Sequence, residues 1–163
     1  AYCKVFYPLA YYCAYFSIRA DAFDYEKMAM GRERLEYYLD IYKAKKADGT
    51  IEKTELDEYK DMRIVQEMYA RGYEFTPIDI YKAKARSFQI IDGKIMPSFK
   101  VVSKIGESAG ESIEIAARGG KFLSKDDLRQ RAKIGQTVID KLSELKLLDG
   151  MAESNQLSLF DVL

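Results

Sequence analysis

Histidine is absent from all 163 residues of this chain, and with it go the Ser-His-Asp and Cys-His arrangements of nucleophilic catalysis and the usual zinc sites. No Walker phosphate loop, GxGxxG turn or nucleophile elbow is present either. Cysteine is scarce: Cys3 and Cys13 lie in an apolar, tyrosine-rich run without CxxC spacing. They read as small buried hydrophobes of a reducing compartment rather than as a disulfide. No run of ~18 apolar residues occurs and no signal peptide is read, so neither a membrane span nor a membrane partner is expected. Net charge is lacking too, since 26 basic residues balance 26 acidic ones. The carboxylate pairs Asp21/Asp24 and Asp57/Asp61 sit on charged helical stretches, where capping and i,i+4 pairing account for them. No catalytic residue and no metal ligand is assigned, and the chain reads as one that binds.

What is there is enough apolar matter for a core, 48% of residues, with 32% charged, which fits one domain or two small ones. The charge is unevenly placed. Residues 21–74 hold 10 basic and 14 acidic residues, residues 75–133 hold 12 and 7, and residues 134–163 hold 2 and 5. A basic middle between acidic flanks suits a local polyanion footprint.

In chain order, Pro8 suits the first turn of a helix over residues 7–19. That helix is aromatic nearly all round, so it belongs in a core or an interface. Tyr11, Tyr12, Tyr15 and Phe16, exposed together, would make an association-prone patch. Asp21 or Asp24 can cap a second helix that runs to about residue 47 through the stripe Met28, Leu35, Tyr38, Leu39 and Tyr42. Residues 44–55 hold half of a calcium loop, but Ala44 and Lys46 stand where oxygen ligands are needed; a plain helix–helix turn is expected. Thr54 with Asp57 predicts the cap of a third helix, ended by Gly72. Residues 87–91 and 94–96 flank Asp92-Gly93, a β-hairpin signal.

Residues 101–122, VVSKIGESAGESIEIAARGGKF, then read as a short helix end, a glycine bend at Ile105-Gly106, a helix, and a Gly119-Gly120 stop. A bend feeding a helix aims free N–H groups outward and is an anion site without side chains. Ser124 caps the helix DDLRQR, and Ile134-Gly135 repeats the bend-then-helix scheme ahead of QTVIDKLSELKLL. Two readings stay open at this point: a tandem helix-hairpin-helix gripping a nucleic-acid backbone, or ordinary joints in an all-α domain. The first reading places DNA contacts at Lys100, Lys104, Gly106, Ser108, Lys133 and Gly135. Beyond Gly150 the chain is small, polar and acidic around Gln156-Leu157-Ser158-Leu159-Phe160, and a flexible tail is expected.

The succession YPLAYYCAYFSIR, ARGYEFTPIDIYKAKARSFQIIDGKIMPSF, the glycine bend, GKFLSKDDLRQR and NQLSLF resembles the C-terminal part of the α subunit of bacterial DNA polymerase III, of the PolC type found in Gram-positive bacteria. The resemblance covers nearly the whole chain in order. It implies a mainly α chain: a helical fingers subdomain with a small β-hairpin over residues 1–97, a tandem helix-hairpin-helix duplex-binding domain over 98–150, and a tail over 151–163. In that tail Gln156, Leu157, Ser158, Leu159 and Phe160 would bind the β sliding clamp. The resemblance also implies a cytoplasmic replication enzyme, a DNA-directed DNA polymerase with 3′–5′ exonuclease activity. Its Mg2+-holding carboxylates lie outside this piece of a longer protein, and the rest of the polymerase chain is a partner. Arg19, at the end of the aromatic helix, would face nucleotide phosphates, with capping or ion pairing as the other reading. A stand-alone helical DNA-binding or clamp-interacting adaptor is the alternative. The chain departs from the family where Ser103 and Lys104 replace Pro-Gly, Gly110 replaces alanine, and Ala117 replaces arginine with Arg118 one step on. Losing that glycine is expected to stiffen the first bend, and Gly110 to weaken its helix by about 1 kcal/mol.

Overall fold

The computed structural model describes residues 2–154. Pro8 sits in the first turn of α2 (Pro8–Ile18), directly behind a short α1 (Tyr2–Phe6). One stripe of α2 is covered: Tyr12 and Phe16 are fully buried while Tyr7 and Ile18 are exposed, so the four-aromatic patch does not form. Phe16 is the hub. Its ring centroid lies 5.2, 5.6 and 6.0 Å from those of Phe23, Phe75 and Phe88, mostly in tilted or edge-on contacts, which aromatic rings favour. Each such burial contributes on the order of 1.5–3 kcal/mol. Together the four rings tie α2 to segments far along the chain.

The single helix expected up to residue 47 is two helices. Asp24 caps α3 (Tyr25–Met28), accepting from the Lys27 amide at 3.0 Å. The chain then breaks at Gly31, whose φ of 105° and ψ of 160° suit glycine almost alone, before α4 (Arg32–Asp48). Tyr69 explains the break, since its hydroxyl donates to the Met28 carbonyl at 2.8 Å, the acceptor a continuing helix would have used. α4 packs on α5 (Lys53–Ala70) through Leu35, Leu39 and Tyr42 against Tyr59, Met62, Val65 and Met68. The cap of α5 is Glu52 and not Thr54: Glu52 and Glu55 form a reciprocal capping box. Glu55, the would-be calcium ligand, is also held by Lys45 Nζ at 2.5 Å. Gly72, at φ 87°, follows the end of α5 as expected.

The Asp92-Gly93 turn has φ of 51° and 76° and joins β1 (Gln89–Ile91) to β2 (Lys94–Met96) with Ile90 opposite Ile95. Ile95 is fully buried and also bridges in parallel to Phe75, which lays the hairpin against the aromatic hub. A 3-10 turn at Phe99–Val101 then leads to α6 (Glu107–Ala117), α7 (Lys125–Ala132) and α8 (Gln136–Glu144). Ser124 caps α7 by accepting from the Asp127 amide at 3.0 Å. One buried apolar cluster runs from Tyr12 to Leu148, so the halves share a core. Lys141 of α8, 6% exposed, reaches across to pair with Glu26 of α3, and that hydrogen bond holds its ammonium pKa above the usual range.

The expected free tail is docked at its root. The amides of Lys125 and Asp126 donate to the carbonyls of Ala152 (2.8 Å) and Glu153 (3.2 Å), which fills donors that the start of α7 leaves open. Gln156, Leu157, Ser158, Leu159 and Phe160 lie outside the described residues.

Candidate nucleic-acid interface

Both bends are Lys-Ile-Gly, and both fold the same way. The lysines take the left-handed conformation, Lys104 at φ 68° and Lys133 at φ 54°. The isoleucines turn inward, with Ile105 2% and Ile134 9% exposed. The glycines then stand as N-caps of α6 and α8, Gly106 at φ −70°, ψ 166° and Gly135 at φ −78°, ψ 165°. The buried isoleucine pins each bend to the core while its flanking residues stay outside; Lys104, Gly106, Ser108, Lys133 and Gly135 are all exposed.

This corrects the origin of the bend. The positive φ expected of the glycines falls on the lysines, a conformation that costs an L-residue roughly 1–2 kcal/mol. Lys104 takes the left-handed geometry that glycine adopts most readily. Gly106 and Gly135 have ordinary extended backbone, and a side chain at either would meet nothing within 4 Å. Neither strain nor internal packing asks for glycine there. Each leaves open space directly over the N-terminus of its helix, the arrangement in which a bare backbone lets an anion come close to the amides.

The two bends differ electrically. α6 carries Glu107 in its first turn, whereas α8 has no acidic residue there. Glu107 is offset by Arg86 at 2.5 Å and by Lys100 at 3.7 Å. Lys100 also pairs with Asp21 at 3.1 Å, so its ammonium is engaged inside the molecule, unlike Lys104 and Lys133, for which no ion pair is found among the described residues. Arg19 is far from both bends in role: it pairs with the fully buried Asp61 at 3.4 Å, with Tyr15 Oη donating to the same carboxylate oxygen at 3.4 Å. Burial pushes the Asp61 carboxyl above its usual range, against the pull of Arg19. Arg19 thus makes an ion pair in this structure while its side chain stays partly exposed.

Arg131, which sequence reading passed over, fixes the connection between α6 and α7. Its guanidinium donates to the carbonyls of Ala116 (2.8 Å), Lys121 (3.1 Å) and Gly120 (3.2 Å) and lies 4.5 Å from the centre of the Phe122 ring. Gly119 is small for this reason, since a Cβ there would stand 2.8 Å from the guanidinium. Gly110 is also a packing residue, because a Cβ at this position would stand 2.9 Å from Phe99 Cβ. Among the described residues no group of three or more His, Cys, Asp or Glu is placed to hold a metal ion, and no helix is long and apolar enough to cross a membrane.

Residues 72–157 match a family model described as a helix-hairpin-helix motif. Over its full length the chain is similar to DNA polymerase III of the PolC type. It is 39% identical over 163 residues to that of Streptococcus pneumoniae strain R6. It is 41% identical over 161 residues to that of Streptococcus suis strain 98HAH33, and 40% over 161 residues to that of Streptococcus pyogenes serotype M2. All or 99% of this chain is covered in these matches, but only 11% of each relative.

Proposed function

The chain belongs to the helix-hairpin-helix family, and from that premise we propose that its two Lys-Ile-Gly bends grip the backbone of double-stranded DNA as part of a replicative polymerase. The observation that carries this is the repeated geometry: two exposed glycine N-caps, each with open space over it and, two residues before, a lysine without an ion pair among the described residues. Amides at the starts of α6 and α8, with the Ser108 hydroxyl, donate to phosphate oxygens, and Lys104 and Lys133 supply the charge. Contacts of this kind set the position of a duplex and carry no base information. Lys100 acts indirectly, by neutralising Glu107 under the first bend.

Lys104→Gln and Lys133→Gln test the grip by fluorescence anisotropy on a labelled duplex. Each is expected to make the dependence of log K on log salt shallower by about 0.9, the loss of one phosphate contact, with scrambled duplex sequences bound equally. Salt-insensitive binding, or a strong sequence preference, overturns the proposal.

The similarity to PolC-type polymerases along the whole chain supports a place for residues 1–97 in the fingers and for Gln156, Leu157, Ser158, Leu159 and Phe160 as a β sliding-clamp motif. In that reading Leu159 and Phe160 fill an apolar pocket on the clamp and Gln156 hydrogen-bonds at its rim. Ordering a short segment on contact keeps such affinity moderate. In this reading nucleotidyl transfer, its Mg2+ ions and the exonuclease belong to the longer polymerase. A peptide of residues 155–163 compared with its Gln156→Ala and Phe160→Ala versions on purified clamp tests the tail; equal binding by all three refutes it.

A further inference from the structure

Between α5 and β1 the run 81–86, YKAKAR, alternates in burial. Ala83 and Ala85 are each 3% exposed, whereas Lys82, Lys84 and Arg86 are exposed. The alternation is enforced by its surroundings. The carbonyls of Lys84 and Ala85 accept from the amides of Phe99 and Lys100, both at 3.0 Å, and the Ala85 amide donates to Glu114 at 3.0 Å. Ala85 fits against Gly110, whose missing Cβ would lie 3.5 Å from the Ala85 Cα. At one end Arg86 binds Glu107 and Glu111, both at 2.5 Å. At the other, Tyr81 stacks on Phe122 with ring centroids 5.6 Å apart and its hydroxyl accepts from the Phe122 amide. The run therefore travels alongside α6 in the opposite direction, from beyond its C-terminus to its first turn, with its alanines against the helix and its cations outward.

The cations do not all have the same work. Arg86 answers two of the three glutamates of α6, and Arg118 pairs with the third, Glu114. Lys82 and Lys84 have no ion pair among the described residues, on a segment whose backbone is fixed. Lys121, exposed and also without an ion pair, stands next to Phe122 at the Tyr81 end. Lys82 and Lys84, without an ion pair among the described residues, are exposed on a hydrogen-bonded segment that leads toward the first bend. We infer that Lys82 and Lys84 form a second contact for the phosphodiester backbone of a nucleic acid, a track that continues the grip of the Lys104-Ile105-Gly106 bend along α6. The inference rests on the DNA-gripping reading of the bends, but it concerns a different element. Phosphate contacts are the chemistry in either case, and the backbone can be that of the duplex or of a single strand leading into it.

The test uses the whole chain with labelled duplex and single-stranded oligonucleotides of equal length, in salt from roughly 50 to 200 mM. Lys82→Gln/Lys84→Gln is expected to make the salt slope shallower by about 1.8 on duplex, or by about 1.4 on single strand if that is the strand held; the oligonucleotide affected identifies the source. Lys82→Arg/Lys84→Arg is expected to restore the native slope. Lys43→Gln/Lys53→Gln removes equal charge from exposed positions on α4 and α5 and is expected to leave the slope unchanged. Lys104→Gln/Lys133→Gln reads the bends separately. A native slope for Lys82→Gln/Lys84→Gln on both oligonucleotides overturns the track and leaves the bends standing. Equal loss in the Lys43/Lys53 control also overturns it, by reducing it to net charge. A native slope for the Lys104/Lys133 pair with an altered one for Lys82/Lys84 removes the bends and keeps the track. No binding by the native chain removes both.

Discussion

A lysine in the left-handed conformation is held there by its neighbours, and at Lys104 the neighbours are a buried isoleucine and a helix start that cannot move. Lys104→Gly relieves that strain and is expected to stabilise the fold by about 0.5–1 kcal/mol in urea unfolding. Duplex binding should weaken at the same time, so stability and affinity move in opposite directions; a purely structural residue would move them together. The sequence made the pairing of the bends visible because Lys-Ile-Gly is a local pattern followed by a helical one. It could not show which residue takes the positive φ, because that depends on the inward turn of Ile105 and Ile134. Gly110 was opaque for a similar reason: its local signature is weak helix propensity, whereas its role is set by Phe99 and Ala85 across a contact.

Among the elements, helix starts written in adjacent residues were legible, as at Pro8 and Ser124, while Asp24 was one of two candidates and caps only the short α3. Where two capping patterns overlap, the choice was not: Thr54 with Asp57 and Glu52 with Glu55 both fit, and the second formed. The break between α3 and α4 depends on the Tyr69 hydroxyl taking the Met28 carbonyl, a contact that no periodicity reports. The end of α6 is likewise decided elsewhere in the chain. Arg131→Met removes the donor to the Gly120 and Lys121 carbonyls and one of two to the Ala116 carbonyl and is expected to cost about 1–2 kcal/mol, read by chemical unfolding, with faster amide exchange over residues 114–121. Arg131→Lys should recover less than half, because an ammonium cannot serve diverging carbonyls as a planar fork does.

For the molecule as a whole, the mainly α class and the order helices, β-hairpin, paired bends followed from the chain. The shared core did not. A boundary at residue 97 looks natural in sequence because the pattern changes there, yet the buried cluster passes from Phe75 and Ile95 through Phe99 to Ile113 and Leu142. Lys141 and Glu26 add a charged cross-tie between α8 and α3. Glu26 is partly open to water, so Lys141→Met is expected to cost only about 1–2 kcal/mol. Adding Glu26→Gln should return part of that, as a double-mutant cycle by urea unfolding would measure.

The two hydrogen bonds from the first-turn amides of α7 to the carbonyls of Ala152 and Glu153 have a mechanical corollary. Tension applied to the polypeptide past Ser154 enters the body at the base of α7, whose far end is Lys133 and the second bend. The path from the anchored Ala152 and Glu153 to that bend is one helix long.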